Sequence, residues 1–144
     1  MSERLPQLVA ARGAATRPRW PYAGGGQRTL LAGSLMIVLG SFLPWVSTPV
    51  GNLSGMAGPG LWTFYLGVVG VGGAVLRRRR VALAHAVAVG ACGVALPLWQ
   101  LAHLAQISAA TQAWGAAVPS TGLLLVLAGG VLALRAAWRL HTST

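Results

Sequence analysis

Two long stretches of this chain, Thr29 to Leu76 and Val81 to Leu134, contain no Asp, Glu, Lys or Arg. All formal charge lies around them, as eleven arginines, no lysine and the single acid Glu3. A water-soluble domain spreads about 25% charged residues over its surface, whereas this chain of 144 residues carries 8% with 55% hydrophobic. A small fold leaves much of its surface exposed and cannot hide so many apolar side chains. Disordered chains are poor in such residues. The pattern requires lipid as the solvent. With one carboxylate at the extreme N-terminus, no paired acid and base is available for catalysis. There is also no CxxC, phosphate loop or nucleophile–base pair, so the expectation is a protein without enzymatic activity, cofactor or metal.

The arginines alternate with the apolar runs. Arg4, Arg12, Arg17, Arg19 and Arg28 precede the first run, Arg77 to Arg80 separate the second from the third, and Arg135 and Arg139 close the last. This is the positive-inside pattern. It argues against reading the formal charge of +10 as a nucleic-acid patch. Spans are predicted at 29–46, 61–76, 81–101 and 121–138. The expected fold is all-α, an integral membrane four-helix bundle with both termini cytoplasmic. Arg-only basic usage with abundant Ala, Gly and Val fits a high-GC bacterial gene, hence the bacterial cytoplasmic membrane. Residues 1–28 are expected to form a mobile Arg-rich tail, 29–140 the membrane domain and 141–144 a short second tail.

Arg77, Arg78, Arg79 and Arg80 are expected to set topology and to meet anionic headgroups of the inner leaflet. Trp45, Trp62, Trp99 and Trp114 should form an outer aromatic belt, with Trp138 at the inner face. The Gly- and Pro-rich segment 47–60 reads as a compact turn. In 102–120, Leu104, Ile107, Trp114 and Val118 recur at helical spacing, as an extension of the third helix or a short interfacial helix. Pro44 and Pro97, near the outer ends of their runs, either kink and splay them into a cup lined by Trp45, Trp62 and Trp99, or simply end them.

Between helices in lipid, close backbone approach replaces the hydrophobic drive. Small residues are spaced for it: Gly33 and Gly40 in the first run, Gly60, Gly67, Gly70, Gly73 and Ala74 in the second, Ala82, Ala86 and Gly90 in the third, Gly129, Ala133 and Ala137 in the fourth. Gly67, Gly70, Gly73 and Ala74 are the candidate contact face, either within the chain or toward a partner. Ser34, Ser41, Thr63 and Thr121 are expected to bond back to their own helices. Cys92 reads as a small residue in a helix contact. His85 and His103 stand about 27 Å apart by helical rise and cannot share a metal. His85 and His141 could meet only if the fourth helix continues to its last residues, and a haem could otherwise pair copies of His85 from two chains. The absence of an ionisable group deep in any run weighs against coupled transport.

Leu43-Pro44-Trp45 and Leu96-Pro97-Leu98-Trp99 end alternate runs, while Gly60-Leu61 and Gly122-Leu123 begin the others. Duplication of a two-helix hairpin accounts for this, and so does convergence at membrane boundaries. The functional expectation is a structural or accessory subunit that self-associates or docks on a larger membrane complex. The alternatives are a channel or transporter for a neutral or hydrophobic solute, and a haem-bearing redox subunit.

The runs GSFLPWVST, GLWTFYLGVVGVGGAVLRRRR and VALAHAVAVG resemble small four-span membrane proteins of actinobacteria, most without an assigned activity. That resemblance covers residues 30–140 and rests on composition and topology. Trp45 with Gly60-Leu61-Trp62 also resembles the W…GLW signature of the claudin-like four-helix family. This chain departs from that signature in lacking the two cysteines after GLW and in the shortness of the loop. A junction-forming role is therefore not carried over.

Overall fold

The computed structural model describes residues 24–76 and 78–142. Most of the expected N-terminal tail, Arg77 and the last two residues lie outside the described residues. Four helices dominate: α1 (Gly25–Phe42), α2 (Gly60–Val75), α3 (Arg79–Thr111) and α4 (Thr121–Thr142). The all-α expectation is corrected by three short strands, β1 (Pro44–Thr48), β2 (Gly51–Ser54) and β3 (Val118–Pro119), with a 3-10 turn at Gly55–Ala57. They form an antiparallel sheet in the order β2-β1-β3. Two helices, α3 and α4, are long and apolar enough to cross a membrane.

The first apolar run does not remain helical to Val46 as expected. Proline disfavours helical geometry in the residue before it, and Leu43 is extended at φ −77° and ψ 163°. Pro44 thus ends α1 rather than kinking it. It also brings no N–H to the carbonyl four residues back, that of Gly40. Trp45 supplies the missing donor. A register irregularity between Pro44 and Val46 acts as a bulge that re-aims the side chain, and the indole Nε1–H donates to Gly40 O at 3.0 Å.

Segment 47–60 is more than a compact turn. Thr48 to Gly51 reverse the chain, with Gly51 at φ +148°, a conformation few side chains adopt. The Thr48 hydroxyl donates to Gly51 O at 2.7 Å. β3 then arrives from far along the sequence, pairing Val118 with Ser47 and Pro119 with Val46. The Ser120 N–H donates to Trp45 O at 2.9 Å.

Pro97 behaves differently from Pro44. It lies inside α3, which is 33 residues long and runs on past the proline to a left-handed cap at Gln112, φ 54°. Of the two readings of 102–120, the helix extension is the one observed through Thr111. At about 1.5 Å per residue α3 is about 50 Å long and α4 about 33 Å, so the last turns of α3 overhang. The two LP-W elements therefore take unlike forms, one a strand and one a helix.

The helices pack in a ring, α1 on α2, α2 on α3, α3 on α4 and α4 back on α1, with few contacts across the diagonal. Neighbours run antiparallel. Gln27 near the start of α1 reaches Leu76 just past the end of α2, and Arg79 at the start of α3 reaches Leu140 near the end of α4. One end of the ring is thus the arginine end and the other carries the sheet.

Candidate functional site

The interior is built from absent side chains. A Cβ placed on Gly33 would stand 2.7 Å from Gly129 O, and one on Gly129 2.6 Å from Gly33 O. Gly40 and Gly122 oppose each other in the same way, at 2.9 and 2.8 Å from the partner carbonyl. On the other side of α4, a Cβ on Gly130 would stand 2.8 Å from Gly93 O. Each obstacle is backbone, which cannot step aside. Pro44 and Pro97 stand four residues after Gly40 and Gly93. Each proline thus denies a helical N–H to a glycine carbonyl, and that carbonyl faces a glycine of α4.

Gly67, Gly70, Gly73 and Ala74 are all buried. A side chain on Gly67 would meet Val38 and the carbonyl of Ser34, one on Gly70 the Ser34 hydroxyl, and one on Gly73 the His85 ring. The candidate face is therefore spent on α1 and α3 of the same chain. The partner-facing alternative for it is corrected, because no surface is left there. Gly93, Gly122 and Gly130 are contact residues the spacing argument missed. The Gly129-Gly130 doublet was the available signal, since adjacent glycines on a helix can face two neighbours at once.

The exterior is the reverse. Leu39 of α1, Tyr65 of α2, Leu98 of α3, and Leu124 and Val131 of α4 are all more than half exposed. Trp62 is 73% and Trp138 70% exposed. Inside, Ala82, Ala86, Ala133 and Ala136 are fully covered, with only a few larger chains such as Leu30, Ile37 and Leu123 between them.

Buried hydroxyls add polar contacts. Ser41 and Thr63 approach to 2.7 Å across α1 and α2. Ser41 also reaches Ile37 O at 2.7 Å and Thr63 reaches Gly60 O at 2.9 Å. Two protons serve these three contacts, so one is shared. Back-bonding was expected for these two residues; the bridge between helices was not. Ser34 departs from the expectation, its buried oxygen having no hydrogen-bond partner among the described residues.

At the arginine end, Arg79 is an inter-helix cap. Its Nε–H donates to Leu140 O at 2.7 Å and its Nη2 to His141 O at 3.1 Å, placing a cation on the negative end of α4. Gln27, an uncharged donor, caps α2 through Leu76 O at 3.1 Å; it belongs to the first turns of α1 rather than to the tail expected over residues 1–28. Arg78 and Arg80 are exposed. Arg139 reaches the Thr29 hydroxyl at 3.3 Å.

The four tryptophans of the expected outer belt divide. Trp45 is 2% exposed and serves the carbonyl of Gly40, so it is corrected from belt residue to buried cap. Gly55 lies against its ring and has no room for a side chain. Trp62 borders an apolar groove of about 400 Å³ between α2 and α3 with Leu66, Cys92 and Leu96. Trp99 stacks on His103 at 5.6 Å, and Trp114 is exposed beyond the end of α3. Trp45, Trp62 and Trp99 therefore line no common cup. His85 points its Nδ1 at Val81 O, 2.8 Å away, and lies in the first third of α3 whereas His103 lies in the last. Cys92 is exposed rather than in a helix contact. Comparison with protein-family models, with curated proteins and with solved structures finds no match.

Proposed function

We propose that this chain is a multi-pass integral protein of a bacterial cytoplasmic membrane, a four-helix bundle that acts without catalysis as a structural or accessory subunit. One observation carries the reading: glycine and alanine fill the interior while Leu, Val, Tyr and Trp cover the outside. In water this arrangement exposes the groups that drive folding. In lipid it is favourable, because tails solvate the large apolar chains and close backbone contact holds the helices together. The arginine end faces the cytoplasm on this reading, and the sheet, with its open edge, sits among headgroups where water reaches it. Since the glycine face of α2 is occupied internally, a partner meets the exterior, where an apolar groove of about 400 Å³ lies beside Trp62.

Alkaline carbonate extraction of native membranes, followed by purification in mild detergent and identification of accompanying chains, tests both parts. The expected result is retention in the pellet and migration with a defined partner or as an oligomer. Release by carbonate would overturn the membrane assignment. A lone monomer that moves solute across liposomes would overturn the accessory role in favour of a transporter, and visible absorbance of the purified protein would favour a haem subunit.

A further inference from the structure

At the arginine end, α3 and α4 leave a second groove of about 300 Å³, lined by Leu83, Val87, Leu134, Ala137, Trp138 and His141. Leu134, Trp138 and His141 follow at i, i+4 and i+7, so one face of α4 forms its wall. Arg80 precedes Leu83 by three residues and Val87 by seven, on the same face of α3. Arg79 lies one turn before Leu83, with its guanidinium held on the carbonyls of Leu140 and His141. A guanidinium has five N–H donors. Two are used on these carbonyls, which leaves three in a fixed position.

The groove is therefore apolar along its length and cationic at its end. We propose that it binds one anionic glycerophospholipid, the phosphate on Arg79 and Arg80 and an acyl chain along Leu83, Val87 and Leu134. The inference rests on the membrane reading, under which this end lies in the leaflet where such lipids concentrate, and basic pockets between spanning helices take anionic headgroups. A zwitterionic lipid fits the apolar wall equally but returns a positive group to the arginines. The ammonium of its headgroup is repelled where a glycerol headgroup is not. Trp138, exposed beside the groove, offers an indole N–H and an amphipathic ring at headgroup depth.

Native mass spectrometry of the full chain, exposed in detergent to equal phosphatidylglycerol and phosphatidylcholine, tests this. The expected result is retention of one phosphatidylglycerol with about five-fold preference, the size of one basic contact at a surface. Arg79→Gln with Arg80→Gln should bring the two lipids to parity. Because Arg79 also caps α4, two variants that leave the cap intact accompany it. Arg80→Gln alone should reduce the preference, and Val87→Trp, which fills the groove, should reduce retention with the charges unchanged. Parity in the unaltered chain, or retention indifferent to Val87→Trp, overturns the proposal. So does displacement of the lipid by equimolar glycerol phosphate, which has the headgroup and no chain. A chain that carbonate releases defeats the membrane reading. One that stays in the pellet and holds both lipids equally defeats the groove alone.

Discussion

At the scale of single residues, Trp45 shows how a local deficit is met. Pro44 removes the donor that Gly40 O would receive in a longer helix, and the next side chain returns it. Replacing Trp45 by Phe keeps an aromatic ring but removes the N–H together with part of the buried bulk. The unpaired buried carbonyl costs about 1–3 kcal/mol on top of the packing lost with the smaller ring, read as a lower melting temperature in detergent, and an unchanged melting temperature would show the bond to be incidental. Gly33→Leu should be worse, because the added atoms meet the backbone of α4 rather than a side chain that can turn. Its expected signature is failure to accumulate in the membrane, whereas Leu39→Phe on the exterior of the same helix should accumulate normally. Normal accumulation of both would contradict the packing described. The glycine spacing was legible in the sequence. Which glycines face which helix was not, because periodicity places a residue on a face without saying what lies opposite.

At the scale of elements, hydropathy found the four described helices and misjudged both ends of α1 and the far ends of α3 and α4. Leu43 to Val46 are apolar enough to prolong α1, and only the missing N–H of Pro44 and the extended Leu43 turn them into a strand. The sheet was hidden for a related reason: β3 is two residues long and its partner is distant in sequence, so no alternation existed to read. The two prolines make a paired test. Pro44→Ala restores a helical donor, competes with Trp45 for Gly40 O, and should destabilise the protein by about 1–2 kcal/mol with faster amide exchange over 44–54. Pro97→Ala keeps α3 helical on both sides and should change stability by less than about 1 kcal/mol. Equal effects would show that Pro44 does not define the end of α1. Arg79→Ala should cost about 1 kcal/mol through the lost cap on α4, measured by the same melting assay.

At the scale of the whole molecule, the distribution of charge gave more than any motif. Arginines clustered by sequence converge in space: Arg79 and Arg139 tie the beginnings of two helices to the last turns of α4. On the proposed reading this end is cytoplasmic. Single thiols at Asn52 and Arg80, in a Cys92→Ser background, give the check with an impermeant maleimide on intact cells. Asn52→Cys should label and Arg80→Cys should not; the opposite pattern would invert the molecule. The function proposed from the exterior was less legible than the architecture. A surface covered evenly in aliphatic and aromatic chains suits lipid everywhere and marks no single partner by sequence.

The interlocked glycine carbonyls have a genetic corollary. A one-base change in a glycine codon is silent, or yields a termination signal or a residue with a side chain. At Gly33, Gly40, Gly122, Gly129 and Gly130 every missense substitution of that kind adds a Cβ within 3 Å of an opposing backbone atom. These positions have no mild alleles within a single nucleotide step, while the outward-facing leucines and valines drift freely among their aliphatic neighbours in the code.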